Sequence, residues 1–343
     1  MNQFAIIKKE ERAVFITEAA ARLGLHPVII EKDFWVTWTL ARLFEQEPLR
    51  SGLVFKGGTS LSKVFGVINR FSEDIDLSIS PVLLGHDEAF LDDAPSLSKR
   101  RKRVKEIEEL CSVLVKEKIQ TDLETLFQKI LGVPKGQETW LRYHFDESSK
   151  SPILLFSYPQ SIHQINSYIA SSIKIEFGSL TDQQPKGSYR ISSMLANIFK
   201  KNFEDFSSEI IALELERTFW EKATILHAEF HRPSEQAIRS NFSRHYSDFA
   251  SLWQHSLGRA AALREDILKR VVMHKSRYFA SSWANYGTAV FGGLRLVPPK
   301  ERMEELADDY EKMKVMFLTE PPTFEEIYRN VEEAEKIINS QIF

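Results

Sequence analysis

Apolar positions recur at helical spacing from about Lys9 to Leu23 and again from about Pro27 to Phe44, where Pro27 suits a first helical turn. The period then changes. Leu53-Val54-Phe55 is a short apolar run cut off by Gly57-Gly58, which predicts a buried strand. A short helix is expected from Thr59 to Phe65 and a second strand from Asp74 to Ile79. Residues 81–96 hold Pro81, Gly85, Asp92, Asp93 and Pro95, a loop composition, and a long charged helix is expected from about Ser98 to Ile130. Three β-branched and aromatic runs follow, Trp140 to Phe145, Ile153 to Tyr158 and Ile169 to Phe177, and Glu209 to Leu213 fits a further strand. From about Glu214 onward the spacing is mostly helical, with an interruption near Gly287–Pro299. No internal repeat or low-complexity segment is present. The pattern predicts an α+β chain, with a sheet-bearing domain over 1–214 and a mainly helical domain over 215–343.

Composition narrows the function classes. Lys and Arg total 45 against 48 Asp and Glu, so global charge predicts no polyanion partner, and nucleic-acid contact requires a local patch. A single cysteine, Cys111, cannot form an internal disulfide and fits a reducing cytoplasm. It shares a helical apolar pattern with Ile107, Leu110 and Leu114, and so reads as a small core residue. The opening MNQFAIIKKEERAVF lacks the apolar core of a signal peptide, and no apolar run is long enough to span a bilayer. A cytoplasmic protein without a membrane partner is expected. His26, His86 and His227 show no metal-ligand spacing, and no G-x-S-x-G occurs, so zinc, serine-hydrolase and thiol chemistry are not expected.

The candidate chemistry lies in FKGGTSLSKVFGVINRFSEDIDLSIS, Phe55 to Ser80. On a strand, Asp74 and Asp76 point to one face while Ile75 and Leu77 point to the other. Two such carboxylates repel unless a proton or cation lies between them, which suggests a hard divalent ion or else a solvated strand end. Upstream, Gly57-Gly58 closes a strand and opens a helix, where free backbone N–H groups suit an anion. Thr59, Ser60 and Ser62 add hydroxyls and Lys56 adds positive charge, although a turn or helix cap explains the glycines about as well. A two-metal site calls for a third acid. Glu176 in SIKIEFGS is the candidate, sharing a strand face with Lys174, and Asp182 in the following loop is its rival.

Further along, Lys222 falls beside the apolar face of Leu215, Phe219, Ala223 and Leu226, either snorkelling past its edge or directed into a polar cleft. His245 and Asp248 flank the apolar face of Phe242, Tyr246, Phe249 and Trp253, as a solvated edge or as site residues. Glu31, Lys32 and Asp33 read as a salt-bridge cluster on a helix surface or as site residues. The run SKRRKRVKE, Ser98–Glu106, puts positive charge at a helix start, where it opposes the helix dipole; it is a solvated face or an RNA-backbone contact. Lys200, Lys201, Arg264, Lys269, Arg270, Lys275 and Arg277 are candidates to extend it.

With these residues in hand, the sequence resembles the AbiEii/AbiGii toxin family of nucleotidyltransferases, within the DNA polymerase β-like superfamily. The resemblance rests on IIEKDFWVTWTL, FKGGTSLSKVF, RFSEDIDLSI, IKIEF, LERTFWEKATILH and RHYSDFASL, in the family's order. It implies a polymerase β-like mixed sheet with flanking helices, its cleft completed by the helical domain. It also implies transfer of NMP from an NTP with Mg²⁺ or Mn²⁺. Asp74 and Asp76 would be metal ligands, and Gly57, Gly58, Thr59 and Ser60 would hold the triphosphate. Lys222 matches the family's motif lysine and Asp248 its late aspartate, both expected to be catalytic, with Lys222 reaching the β/γ-phosphate oxygens; Ser72 matches a serine beside the D-x-D that is a candidate for modification. Family toxins act on RNA, in some cases at tRNA acceptor ends, and are paired with an antitoxin encoded nearby. The competing expectations are a nucleotide- or partner-binding protein with a weak site, transfer to a protein or small-molecule acceptor, and a sugar-nucleotide transferase, against which the Gly-Gly-Thr-Ser turn speaks.

Overall fold

A computed structural model describes residues 1–162, 170–202 and 205–341. The chain divides into two units, one of Met1–Val64 with Glu73–Ala212, the other of Phe65–Ser72 with Leu213–Phe343. Its class is α+β.

The first unit is built on seven strands: β1 Leu53–Lys56, β2 Ile75–Ile79, β3 Leu141–Asp146, β4 Ser151–Phe156, β5 Ile173–Gly178, β6 Lys186–Ser192 and β7 Ser207–Leu213. They form one mixed sheet in the order β3-β4-β5-β2-β1-β7-β6. β2 is antiparallel to β1 and parallel to β5, while β1 runs parallel to β7. The strand expected from Ile169 is seen from Ile173; Ile169 itself lies outside the described residues. β6, KGSYRIS, was not expected. It is an edge strand with mostly half-exposed or exposed residues, so it carries no apolar alternation.

Helices α1 Asn2–Ile6, α2 Lys9–Leu23, α3 Pro27–Phe44, α4 Leu49–Gly52, α5 Gly57–Lys63, α6 Leu97–Val113, α7 Gln120–Leu131 and α8 Met194–Ile198 belong to this unit. α2 ends at Gly24, whose φ of +67° lets its N–H reach back to Ala20. Pro27 then opens α3 behind His26, whose ring accepts from the Val28 N–H. Every residue of α3 from Val28 to Phe44 is buried. Apolar side chains occur at all angles around this helix, so it has no surface face. Trp35 and Trp38 meet Phe156, and Trp38 meets Phe127 of α7. α6 and α7 are joined by the π-turn Leu114–Ile119, and Cys111 is buried on α6 with its thiol pushed up to about 12 by burial, as suits an inert core residue.

The second unit holds α9 Leu215–Phe230, α10 Ser243–Gln254, α11 Ser256–Ala261, α12 Glu265–Tyr278, α13 Met303–Met313 and α14 Phe324–Ser340. Phe219 of α9 meets Phe249 of α10 in its core. α14 starts with a reciprocal Thr323–Glu326 capping box and buries Ile327, Val331, Ala334 and Ile338 along one stripe. Segment 65–72 is tied into this unit by backbone bonds from Phe71 to Met316 and from Leu318 to Asn69. Among the described residues, no single helix is long and apolar enough to cross a membrane.

Candidate active site

β1 runs straight into Gly57, and the geometry there admits no other residue. Gly57 has a φ of +82°, and a Cβ on it would run into the Asp76 carboxylate. Asp76 therefore lies against bare backbone. The sheet register puts Lys56 opposite Asp76 and Asp76 opposite Glu176. Cross-strand partners share a face and stand about 5 Å apart, so a cation and two carboxylates form a row across β1, β2 and β5. The opposite face carries Ile75, Leu77, Ile173, Ile175 and Phe177, all buried, and fixes the register. Asp74 sits one residue ahead of β2 instead of on it. Its carbonyl accepts from the Thr59 hydroxyl at 2.5 Å, which ties α5 to the start of β2.

That bond changes the part expected of the hydroxyls. Thr59 and Ser60 are buried, and the Ser60 hydroxyl donates to the Gly57 carbonyl at 2.8 Å. Both side chains hold the turn together, so they are not aimed outward as donors to a phosphate. Asp182 accepts from the Gln184 N–H in its loop at 3.1 Å, and Glu176 alone of the two rivals is in register with Asp76.

The acids have a cationic neighbour. Lys174 Nζ donates to Glu176 Oε2 at 2.7 Å. Burial works against the Lys174 charge, but the hydrogen bond and charge of Glu176, then Asp74 and Asp76, outweigh it and raise its pKa. Carboxylate oxygens are the donors that Mg²⁺ and Mn²⁺ prefer, so Asp74, Asp76 and Glu176 fit such an ion chemically. They are not drawn together around one point, however. Among the described residues no three His, Cys, Asp or Glu side chains are gathered closely enough to hold a metal ion, and Glu176 is turned to Lys174.

Glu31, Lys32 and Asp33 are the main departure from the sequence reading. Of the two expectations, a surface salt-bridge cluster or site residues, the surface cluster does not hold, for all three are buried on α3. The Glu31 carboxylate accepts from the backbone of Ser161 and Ile162. Lys32 donates to the Glu73 carboxylate and, at 2.8 Å, to the Ala170 carbonyl. Asp33 accepts from Lys63 Nζ and, at 2.7 Å, from the Met194 N–H at the start of α8.

Lys222 and Asp248 belong to the second unit, as does Ser72, which is half-buried. Asp248 is not at a solvated edge; it is fully buried. Arg70 grips it with two bonds, Nε to Oδ1 at 2.7 Å and Nη2 to Oδ2 at 2.9 Å, and Lys222 Nζ donates to Oδ2 at 2.7 Å. Lys222 also lies 3.1 Å from His245 Nδ1. Burial opposes the Asp248 charge, but Arg70 and Lys222 overcome it and hold the carboxyl well below its usual range. Burial lowers the Lys222 pKa despite Asp248, and burial followed by Lys222 pushes His245 well below an ordinary histidine.

The basic run is thinner than its sequence suggests. Ser96 caps α6, and Lys99, Arg101, Lys102 and Lys105 are exposed. Arg103 instead covers the Phe90 ring at 4.8 Å and donates to the Phe90 carbonyl. In the second unit, Arg264 and Lys269 are paired with Asp266 and Glu265.

Comparison with known proteins adds one firm finding. The family described as "Nucleotidyl transferase AbiEii toxin, Type IV TA system" matches residues 38–330. No curated protein sequence matches. Among solved structures, MenT4, a nucleotidyltransferase toxin from Mycobacterium tuberculosis H37Rv, is similar at 13% identity, with 96% of this chain and 90% of that one covered and a TM-score of 0.49. JHP933 from Helicobacter pylori is similar at 14% identity, with 98% and 96% covered and a TM-score of 0.35.

Proposed function

The chain belongs to the AbiEii family of nucleotidyltransferase toxins, and on that footing we propose that it moves a nucleoside monophosphate from an NTP onto an RNA acceptor, a tRNA by the family resemblance. The observation that carries this reading is the row Lys56–Asp76–Glu176 beside the bare Gly57 backbone. It brings a cation, two acids and a turn that a phosphate can approach to one place on the sheet.

In this reading the triphosphate lies along the backbone N–H groups of Gly57, Gly58, Thr59 and Ser60, with Lys56 opposing its charge. Thr59 and Ser60 contribute through their backbone, since their hydroxyls already serve the turn. Asp74, Asp76 and Glu176 are the residues that would hold Mg²⁺ or Mn²⁺, and the ion's chemistry there is to activate the acceptor hydroxyl and stabilise the leaving pyrophosphate. The acceptor oxygen bonds to the α-phosphorus, the α–β bridging bond breaks, and pyrophosphate departs. In the second unit, Lys222 and Asp248 act with Arg70 to fix segment 65–72 on α9 and α10. The partner set is completed by an antitoxin encoded nearby, in a cytoplasmic setting.

The test is incubation of the purified protein with a divalent ion, labelled NTPs and total tRNA, followed by sequencing of RNA 3′ ends. Transfer that Asp76→Ala abolishes supports the reading; no transfer from any NTP ends it. A second reading, nucleotide binding without turnover, draws on the two engaged hydroxyls and the Lys174–Glu176 pair. Calorimetric NTP binding with no product would favour it.

A further inference from the structure

Helix α3 meets the candidate site through two adjacent charged residues. Neighbours on a helix point about 100° apart, so Lys32 and Asp33 reach two different segments. Asp33 pairs with Lys63, the last residue of α5. Lys32 pairs with Glu73, the residue before Asp74. These two points have a special place in the chain. The first unit ends its first segment at Val64 and resumes at Glu73, while residues 65–72 belong to the second unit. One ion pair therefore stands at each edge of the gap, and both are made to the same buried helix.

Stability alone does not account for this choice. A buried ion pair gives little net stability compared with a well-packed apolar pair, but it fixes which atoms meet. Lys32 and Asp33 are also each tied a second time, to the Ala170 carbonyl and the Met194 N–H, so neither is free to follow a drifting partner. The parts whose relative placement matters flank the two pairs on their outer sides. α5 carries the Gly57 turn, and Asp74 and Asp76 follow Glu73 by one and three residues.

We propose that Lys32 and Asp33 are positioning residues for nucleotidyl transfer: α3 clamps the end of α5 and the start of β2, holding the Gly57 turn and the Asp74/Asp76 carboxylates in register across the 65–72 excursion. The catalytic part of this inference rests on the transferase reading above; the clamp itself does not.

The experiment uses the full chain and two readouts. Lys32→Met is expected to lower kcat for NMP transfer about 100-fold, the cost of misplacing reacting groups by about 1 Å, with the KM for NTP changed less than about 3-fold. Glu73→Gln, which keeps shape and size, is expected to do the same more mildly and guards against a Lys32 variant that fails to fold. The swapped pair Lys32→Glu with Glu73→Lys is expected to recover part of kcat. In parallel, hydrogen exchange should quicken in both single variants at residues 57–61 and 73–77 and stay unchanged on β3 and β4. Unchanged kcat and unchanged exchange in Glu73→Gln overturn the clamp, and so does exchange that quickens evenly across the whole unit. A wild-type protein that transfers nothing would sink the transferase reading, while the exchange pattern would still judge the clamp.

Discussion

The two charge clusters of this protein are built on opposite plans. In the first unit, Lys56, Asp76, Lys174 and Glu176 are all partly exposed, and the short ion pair among them, Lys174–Glu176, is open to water on both sides. In the second, Asp248 is fully buried with Arg70 on one side and Lys222 on the other, every contact short and directional. A ligand can reach groups that water already reaches, whereas in the second cluster water is shut out at Asp248 and nearly so at Arg70 and Lys222. On the proposed function, binding and metal chemistry fall to the first cluster, while the contacts of the second hold segment 65–72 on α9 and α10.

The largest expected effects would break this assignment outright. Asp76→Ala should reduce transfer about 10³-fold, with little loss of stability, because it relieves repulsion among acids. Asp248→Ala should do the reverse. It leaves Arg70 and Lys222 facing each other without their anion, and breaking a buried pair costs about 3–5 kcal/mol. Urea unfolding measures that cost directly. If Asp248→Ala folds with full stability and loses only activity, the contrast between the two clusters is wrong.

A smaller effect sharpens the picture of the second unit. His227 is fully buried; its Nδ1 accepts from the Arg295 N–H at 3.0 Å, and Nε2 lies 3.1 Å from the Asn285 carbonyl. Burial, with help from His231 and Arg295 and against the Asn285 bond, lowers its pKa from 6.5 to about 4. A group whose folded pKa is depressed gives stability above its unfolded value, and loses it as pH falls toward the folded one. Stability should therefore decline by roughly 2–3 kcal/mol between pH 6.5 and 4. Denaturation midpoints of wild type and His227→Gln across that range should converge as the pH falls.

Much of the first cluster was legible because it is local. Gly57-Gly58 cut off a strand, Asp74 and Asp76 lay two apart, and the alternation in SIKIEFGS put Glu176 on a polar face. The register that sets Glu176 opposite Asp76 was not legible, since pairing depends on turns and packing elsewhere. The buried state of Asp248 was hidden for a related reason: its main partner, Arg70, lies 178 residues away along the chain. Lys32 and Asp33 are different, because the signal was present and was outweighed. Ile29, Ile30, Phe34, Trp35, Val36 and Trp38 leave α3 no polar side, so charges on it have to be buried and therefore partnered.

The smallest expected effect concerns Lys174. Its ammonium bonds to Glu176, the acid that a divalent ion would also claim, and Asp74 and Asp76 add to the field holding it there. An ion approaching these acids must displace the ammonium or share Glu176 with it. Removing the competitor in Lys174→Met should tighten Mn²⁺ binding, read by calorimetry without nucleotide, by a few-fold. The gain is modest because Lys174 and Glu176 are about one-third and one-fifth exposed, so water already screens part of their attraction. Weaker binding in the variant would mean that Lys174 supports the acids in some other way than as a displaceable counter-charge. The partly exposed cluster would then be as fixed as the buried one.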